Sequence, residues 1–407
     1  MKLNARARSI PDYVDTLDGF RAIATLLVLI FHYWQQSWVS MVVHIGPVSI
    51  DFTPVVSIGS LGVELLFALS GFCLYYPLAM HPERRLHIGN YAYKRMVRIL
   101  PTYFFCVIVS AIYQVGRLDP ALLREQFIGN MTLTQMSTPA LAYNHLNPVL
   151  WSIAIEVQFY LIFPLILPLF RKKPYWVMAA AFAIGEGWRM YLRDIDYSRI
   201  GWLMNQLPGM IDVFVGGMLA AHVVARIKRT LDDGSRAALR PAFTLAALMF
   251  AAMYFLAVMY IDALRYENVP ENLSRLQMHT RKFVAAAFCG AIAASVFSCE
   301  WLHRLLGNPV TRFLSTISYQ VYMWHAWIAL RLKEWRLPPY MTERPMDDPE
   351  WRWPYMLLCL ALSFLVAVLM TYLAERPISK FCLAHAPRWA KPRPAAAPDA
   401  DRKGATS

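Results

Sequence analysis

Apolar residues run along this chain in blocks of roughly 20, each closed by a short polar or charged stretch. A helix of that length spans the ~30 Å hydrocarbon core of a bilayer. The pattern predicts helices near Asp18–Trp38, Ser57–Ala79, Arg98–Val115, Val149–Phe170, Pro174–Leu192, Leu203–Ala225, Pro241–Ile261, Phe283–Leu302, Phe313–Arg331 and Pro354–Ala374. The expected fold is all-α, a polytopic membrane protein of about ten transmembrane helices. Residues 1–16 are expected to form a cytoplasmic N-terminal segment, 17–383 the transmembrane domain, and 384–407 a disordered basic tail. The first block is not a signal peptide: it is too long for an h-region, carries Arg21 and His32, and lacks an A-x-A site behind it. No internal repeat of 20–50 residues and no soluble catalytic domain is read from the chain.

Composition sharpens this picture. Hydrophobic residues make up 57% of 407 and charged residues 16%, against about 25% charge in a soluble domain. Thirteen tryptophans suit helix ends seated among lipid headgroups. The net charge of +13 invites a nucleic-acid reading, but its distribution along the chain opposes one. With the N-terminus inside, alternate segments collect Lys2, Arg6 and Arg8, then Arg84 to Arg98, Arg171 to Lys173, the Arg226–Arg240 loop, Arg304, Arg312 and the basic tail. The split is roughly 25 basic residues inside to 14 outside, and residues 42–56 hold none. This asymmetry follows the positive-inside rule and places both termini in the cytoplasm. No nucleic-acid partner is expected. The six cysteines lack paired spacing and read as small core residues, neither a disulfide framework nor a metal site.

An ionisable side chain inside a membrane helix costs about 2.5–3.5 kcal/mol even on the gentler insertion scales, so such residues are candidates for function. Arg21 and His32, eleven residues apart, fall within roughly 20° of one helical face and about 16 Å apart along it. Taken singly, Arg21 could be a snorkelling anchor and His32 a hydrogen-bonded structural residue. Glu64 could bond a neighbouring helix, while Ser70 and Gly71 allow close helix approach. Arg95 and Arg98, at i and i+3, could grip a phosphate or simply follow positive-inside bias. Ser152, Glu156 and Tyr160 recur every four residues, and Ser318, Tyr322 and His325 form a second polar stripe. His32, Glu64, Glu156 and His325 fall at similar depth, so two imidazoles and two carboxylates could meet. Asp212 and Glu186 fall there too, and depth alone does not rank them.

Several of these residues form an ordered set. Leu17-Asp18-Gly19-Phe20-Arg21 with His32 resembles the Arg-x10-His signature of the acyltransferase-3 family of integral membrane acyltransferases. Gly62–Phe72, Arg95 and Arg98 before Leu100-Pro101, Trp151-Ser152 through Tyr160, Ser318 to His325, and Glu375-Arg376-Pro377 resemble it in the same order. The chain departs from the pattern at Ala68 and Cys73, where bulkier aliphatics are common, and at Val157, where an acid is frequent. The resemblance implies transfer of an acyl group, usually acetyl, from cytoplasmic acyl-CoA to a hydroxyl of a carbohydrate, lipid-linked glycan or related acceptor, in a bacterial inner membrane. It implies His32 as base or acyl relay and Arg21, Arg95 and Arg98 as the acyl-CoA site; the similar depths add the expectation that Glu156 or Glu64 orients His32. Ser70, Ser152, Tyr160, Ser318, Tyr322 and His325 would line the channel or acceptor site. No bound cofactor or metal is expected, and delivery would occur at the membrane. The alternative is a proton-coupled transporter or exporter, in which buried His and Glu relay protons; motifs clustered in the first four helices, without counterparts in the last six, argue against it. A catalytically idle partner protein is a third reading.

Overall fold

A computed structural model describes residues 13–265 and 270–391. The charges at Lys2, Arg6 and Arg8, and the tail beyond 391, lie outside the described residues.

Among the described residues ten helices have eighteen or more residues: α1 Thr16–Ser37, α2 Gly62–Met80, α3 Ile88–Gln114, α4 Trp151–Lys172, α5 Pro174–Tyr191, α6 Leu207–Thr230, α7 Arg240–Arg265, α8 Pro270–Ser295, α9 Pro309–Glu334 and α10 Pro349–Leu369. Each stands at one of the ten expected blocks. Seven helical runs among the described residues are long and apolar enough to cross a membrane, or eight if α8 and the short helix Glu300–Leu306, bent by 118°, form one span. The expected count of ten spans is therefore reduced on this criterion. The helices that fall short are α5, α8 and α9, and their polarity is turned inward: Arg189, Arg281 and Gln320 are buried. The all-α multi-pass architecture stands.

Two boundaries move for physical reasons. Helix α3 begins ten residues before the expected Arg98, with His87 accepting from the Asn90 backbone N–H as its cap. Helix α8 begins at Pro270, thirteen residues before Phe283, and the charges just ahead of the apolar block are held in ion pairs, Arg281 with Glu64 and Lys282 with Glu186. The expected Phe283–Leu302 also crosses a break, which Thr244 Oγ1 stabilises by accepting from the Cys299 N–H at 2.7 Å. At the other end of the chain, α10 continues through a wide π-helical turn, Met370–Glu375, into Arg376–Ala384. The expected break at 384 is not one in packing. Ala390 is buried, and its carbonyl accepts from Asn90 Nδ2 at 2.8 Å.

The loop after α1 holds an unexpected antiparallel hairpin, β1 Val42–Ile45 with β2 Val48–Asp51, turning at Gly46 with φ +59°. At the centre, α2 packs against α6 at backbone distance. A Cβ at Gly71 would overlap the Phe214 carbonyl, and one at Gly217 the Ala68 carbonyl. Small residues permit this approach, as the Gly71 reading anticipated. Helix α9 lies along α1 and α10, bringing the two polar stripes and the Arg21/His32 face together.

Candidate active site

The residues eleven apart on α1 both meet α9. Arg21 donates from Nη1 to Ser315 Oγ at 3.3 Å, and its Nη2 lies 3.7 Å from Cys73 Sγ on α2. Three turns further, His32 Nδ1 is 3.1 Å from His325 Nε2 and 2.9 Å from its own helix's Val28 carbonyl. His325 Nδ1 is 2.7 Å from the Tyr322 carbonyl and 3.1 Å from that of Val321. A carbonyl only accepts, so His325 in its neutral form carries its proton on Nδ1 and keeps a lone pair on Nε2. That lone pair accepts from His32 Nδ1–H, which leaves the His32 Nε2 lone pair without a proton. An imidazole so arranged can take a proton from a hydroxyl.

On the side of the molecule that loop charge assigns to the cytoplasm, a cavity of about 120 Å³ is lined by Arg21, Arg95 and Arg98. Ser70, Ser152, Glu156, Tyr160, Ser318 and Tyr322 complete its polar wall. Nine of the twelve expected site residues thus converge on one space. Among the described residues no carboxylate stands within 4 Å of these three guanidiniums. Arg95 lies over the Tyr160 ring, 5.3 Å from its centroid. Glu156 Oε1 accepts from Ser70 Oγ at 2.8 Å and from the Tyr160 hydroxyl. Three cations against one carboxylate make the cavity a place for anions. One turn from Glu156, Ser152 Oγ is 2.7 Å from the Tyr322 hydroxyl, and the Tyr322 ring lies 5.7 Å from that of His325.

The two carboxylates do not orient His32 as expected. Glu156 is held by Ser70 and Tyr160. Glu64 Oε1 accepts from Arg281 Nε at 2.9 Å, both side chains being buried. The reason is geometric: the His32 face of α1 meets α9, whereas the first turn of α2 faces α8. Arg281 was missed because it lies just ahead of an apolar block. The signal available was Glu64 itself, since a carboxylate inside a membrane calls for a cation. Arg189, inside the expected Pro174–Leu192 block, was missed too; it pairs with Asp212 and Glu186 at 2.7 Å each.

The central cavity has a neighbour on either side. It shares Arg21 and Cys73 with a vestibule of about 690 Å³ that reaches Tyr13, His81 and Arg84. It shares Val63 with a pocket of about 610 Å³ at the opposite ends of the helices. The three spaces form a row through the molecule.

The chain is 26% identical over 394 residues to the peptidoglycan O-acetyltransferase OatA of Listeria monocytogenes, covering 90% of this chain and 56% of that protein. It is 27% identical over 190 residues to the O-acetyltransferase OatA of Staphylococcus aureus strain NCTC 8325, covering 43% of this chain and 28% of that protein. The chain spans about half the length or less of these curated relatives. No solved structure matches it. The family model described as an acyltransferase domain matches residues 14–372, a range that contains the paired histidines and the arginine-lined cavity, and the chain belongs to that acyltransferase-3 family.

Proposed function

We propose that this protein moves an acetyl group from cytoplasmic acyl-CoA to a hydroxyl of a carbohydrate acceptor within a bacterial cytoplasmic membrane. The observation that carries the reading is the meeting of three guanidiniums lacking carboxylate partners at one level and a histidine with a bare Nε2 further along the same helix. Arg21 and His32 are separated by eleven residues, about 16 Å of helix rise, a span that an extended pantetheine arm covers. The central cavity is too small for a nucleotide, so the nucleotide end of CoA stays in the vestibule and its phosphates bind Arg21, Arg95 and Arg98. The thioester threads toward His32.

There His32 Nε2 takes the proton of the acceptor hydroxyl while the oxygen attacks the thioester carbonyl. The C–S bond breaks, an ester forms, and the departing CoA sulfur takes the proton back from His32. The Val28 carbonyl and His325 Nε2 both accept from His32 Nδ1–H, which holds the base in the right tautomer, and His325 shares the positive charge that develops on it. Ser70, Glu156 and Tyr160 order the cavity wall, and Ser152 with Tyr322 links that wall to His325. The names of the relatives above support acetyl as the acyl group and a glycan as acceptor.

The test supplies labelled acetyl-CoA to membranes containing the protein and looks for alkali-labile label on glycans. Label is expected with the wild type and absent with His32→Ala, at equal amounts of inserted protein. O-acylation retained by His32→Ala would refute the assignment of the base, and no consumption of any acyl-CoA by the wild type would favour transport.

A further inference from the structure

The pocket of about 610 Å³ lies at the ends of α1, α2 and α4 opposite the arginine-lined cavity. Its size falls within the roughly 300–1,000 Å³ of small-molecule sites. Phe31, Trp34 and Trp38 of α1, at i, i+3 and i+7, form one wall, and Trp151 of α4 also lines it. At its edge are two buried charges, Glu64 and Arg281, 3% and 2% exposed.

Charge decides what class of ligand fits. The central cavity has three cations and one anion. This pocket has one of each, paired at 2.9 Å, and no other charged side chain in its lining. It is therefore neutral overall and offers an anionic group no net attraction. A wholly apolar occupant, such as a lipid tail, would further desolvate a buried ion pair without offering hydrogen bonds, which is costly. Glu64 Oε1 accepts from Arg281 Nε, so the pair presents a carboxylate edge and a guanidinium edge, both polar, to the pocket they line. Asn205, 3.4 Å from Arg281 Nη2, and Gln277 add amide groups.

A neutral ligand with many hydroxyls and flat C–H faces satisfies all of this: the faces lie on indole rings and the hydroxyls meet Glu64 and the amides. We propose that this pocket binds the acceptor as one or two sugar rings of a neutral glycan, entering from the face opposite acyl-CoA. The proposal rests on the acyl-transfer reading and assigns its second substrate a place. The pocket stands beside the base, since Phe31 in its wall packs edge-on against His32 with ring centroids 5.0 Å apart.

Direct binding tests the pocket without requiring turnover. Cellohexaose and the hexamer of N-acetylglucosamine are titrated into the purified full chain in detergent, following tryptophan fluorescence and confirming by calorimetry. At least one hexamer is expected to bind the wild type. Its Kd should rise tenfold or more in Trp38→Ala, while the Kd for acetyl-CoA moves less than twofold. Trp38 is about half exposed (47%), so its removal spares the core. Gln277→Ala should also weaken the sugar, by a smaller factor. Failure of both hexamers to bind, or an unchanged Kd in both variants, overturns the proposal. Hexamer binding that depends on Trp38 in a protein that consumes no acyl-CoA would keep the pocket and remove the transfer reading. Acyl transfer to glycan that is indifferent to Trp38 would do the reverse.

Discussion

With His325 Nδ1 tied to two carbonyls of its own helix, the neutral pair has one arrangement of protons, and His32 Nε2 is its open end. Removing His325 leaves the Val28 carbonyl to hold the His32 tautomer but takes away the imidazole that shares the charge developing on His32. We expect His325→Ala to lower kcat by about 100-fold, in the range of general-base contributions, with the KM for acyl-CoA little changed. His325→Gln, whose amide oxygen can accept from Nδ1, should restore part of it; steady-state kinetics on both variants checks this. The guanidiniums should behave in the opposite way. Arg98→Ala removes one unpaired charge from the cavity and should raise the KM for acyl-CoA about tenfold, equivalent to about 1.4 kcal/mol, with a shallower dependence of KM on salt. Arg21, His32 and both polar stripes stood out in the sequence because polar atoms in lipid must face protein, whereas Arg95 and Arg98 stood out only through the resemblance to the family's motif. Their pairings did not. The His32–His325 and Glu64–Arg281 contacts depend on which helices are neighbours, and chain order does not say that α1 lies beside α9 or α2 beside α8.

Ten apolar blocks predicted ten long helices, and all ten formed where expected, since block length and helix rise alone determine that much. Legibility failed at ends, where charged residues such as Arg281 continue a helix inside protein, and at the hairpin, whose four-residue strands carry too short a period to detect. Packing between elements yields two further predictions. Gly217 meets the Ala68 carbonyl and Gly71 that of Phe214, so Gly217→Leu must push α2 and α6 apart. A cost of about 3 kcal/mol is expected, read as a lower thermal midpoint in detergent than that of the exposed-surface control Leu165→Ala. Where α1 begins, Asp15 Oδ1 is 2.9 Å from His303 Nδ1 in the short helix Glu300–Leu306. Burial raises the Asp15 pKa, but the hydrogen bond and charge of His303 outweigh it and hold the carboxyl below its ordinary range. Because the folded value is the lower one, this stabilisation is present above about pH 4 and is lost as pH falls through the depressed value. Asp15→Asn should therefore lose less thermal midpoint between pH 5 and pH 3 than the wild type.

Across the molecule the charge changes from one end of the row to the other. A vestibule and a cationic cavity open toward the basic face, a histidine pair stands beyond them, and a neutral, tryptophan-walled pocket lies at the far ends of the helices. Such an order suits an anionic donor and a neutral acceptor that approach from opposite sides and meet near His32. Sealed vesicles holding the protein in one orientation test this most directly, with labelled acetyl-CoA placed on one face and a glycan acceptor on the other. The account predicts alkali-labile ester on the glycan only when acetyl-CoA is on the Arg95/Arg98 face and the glycan on the Trp38 face. Ester formed only when both substrates share a face, or acetyl-CoA left unconsumed in every arrangement, would contradict it.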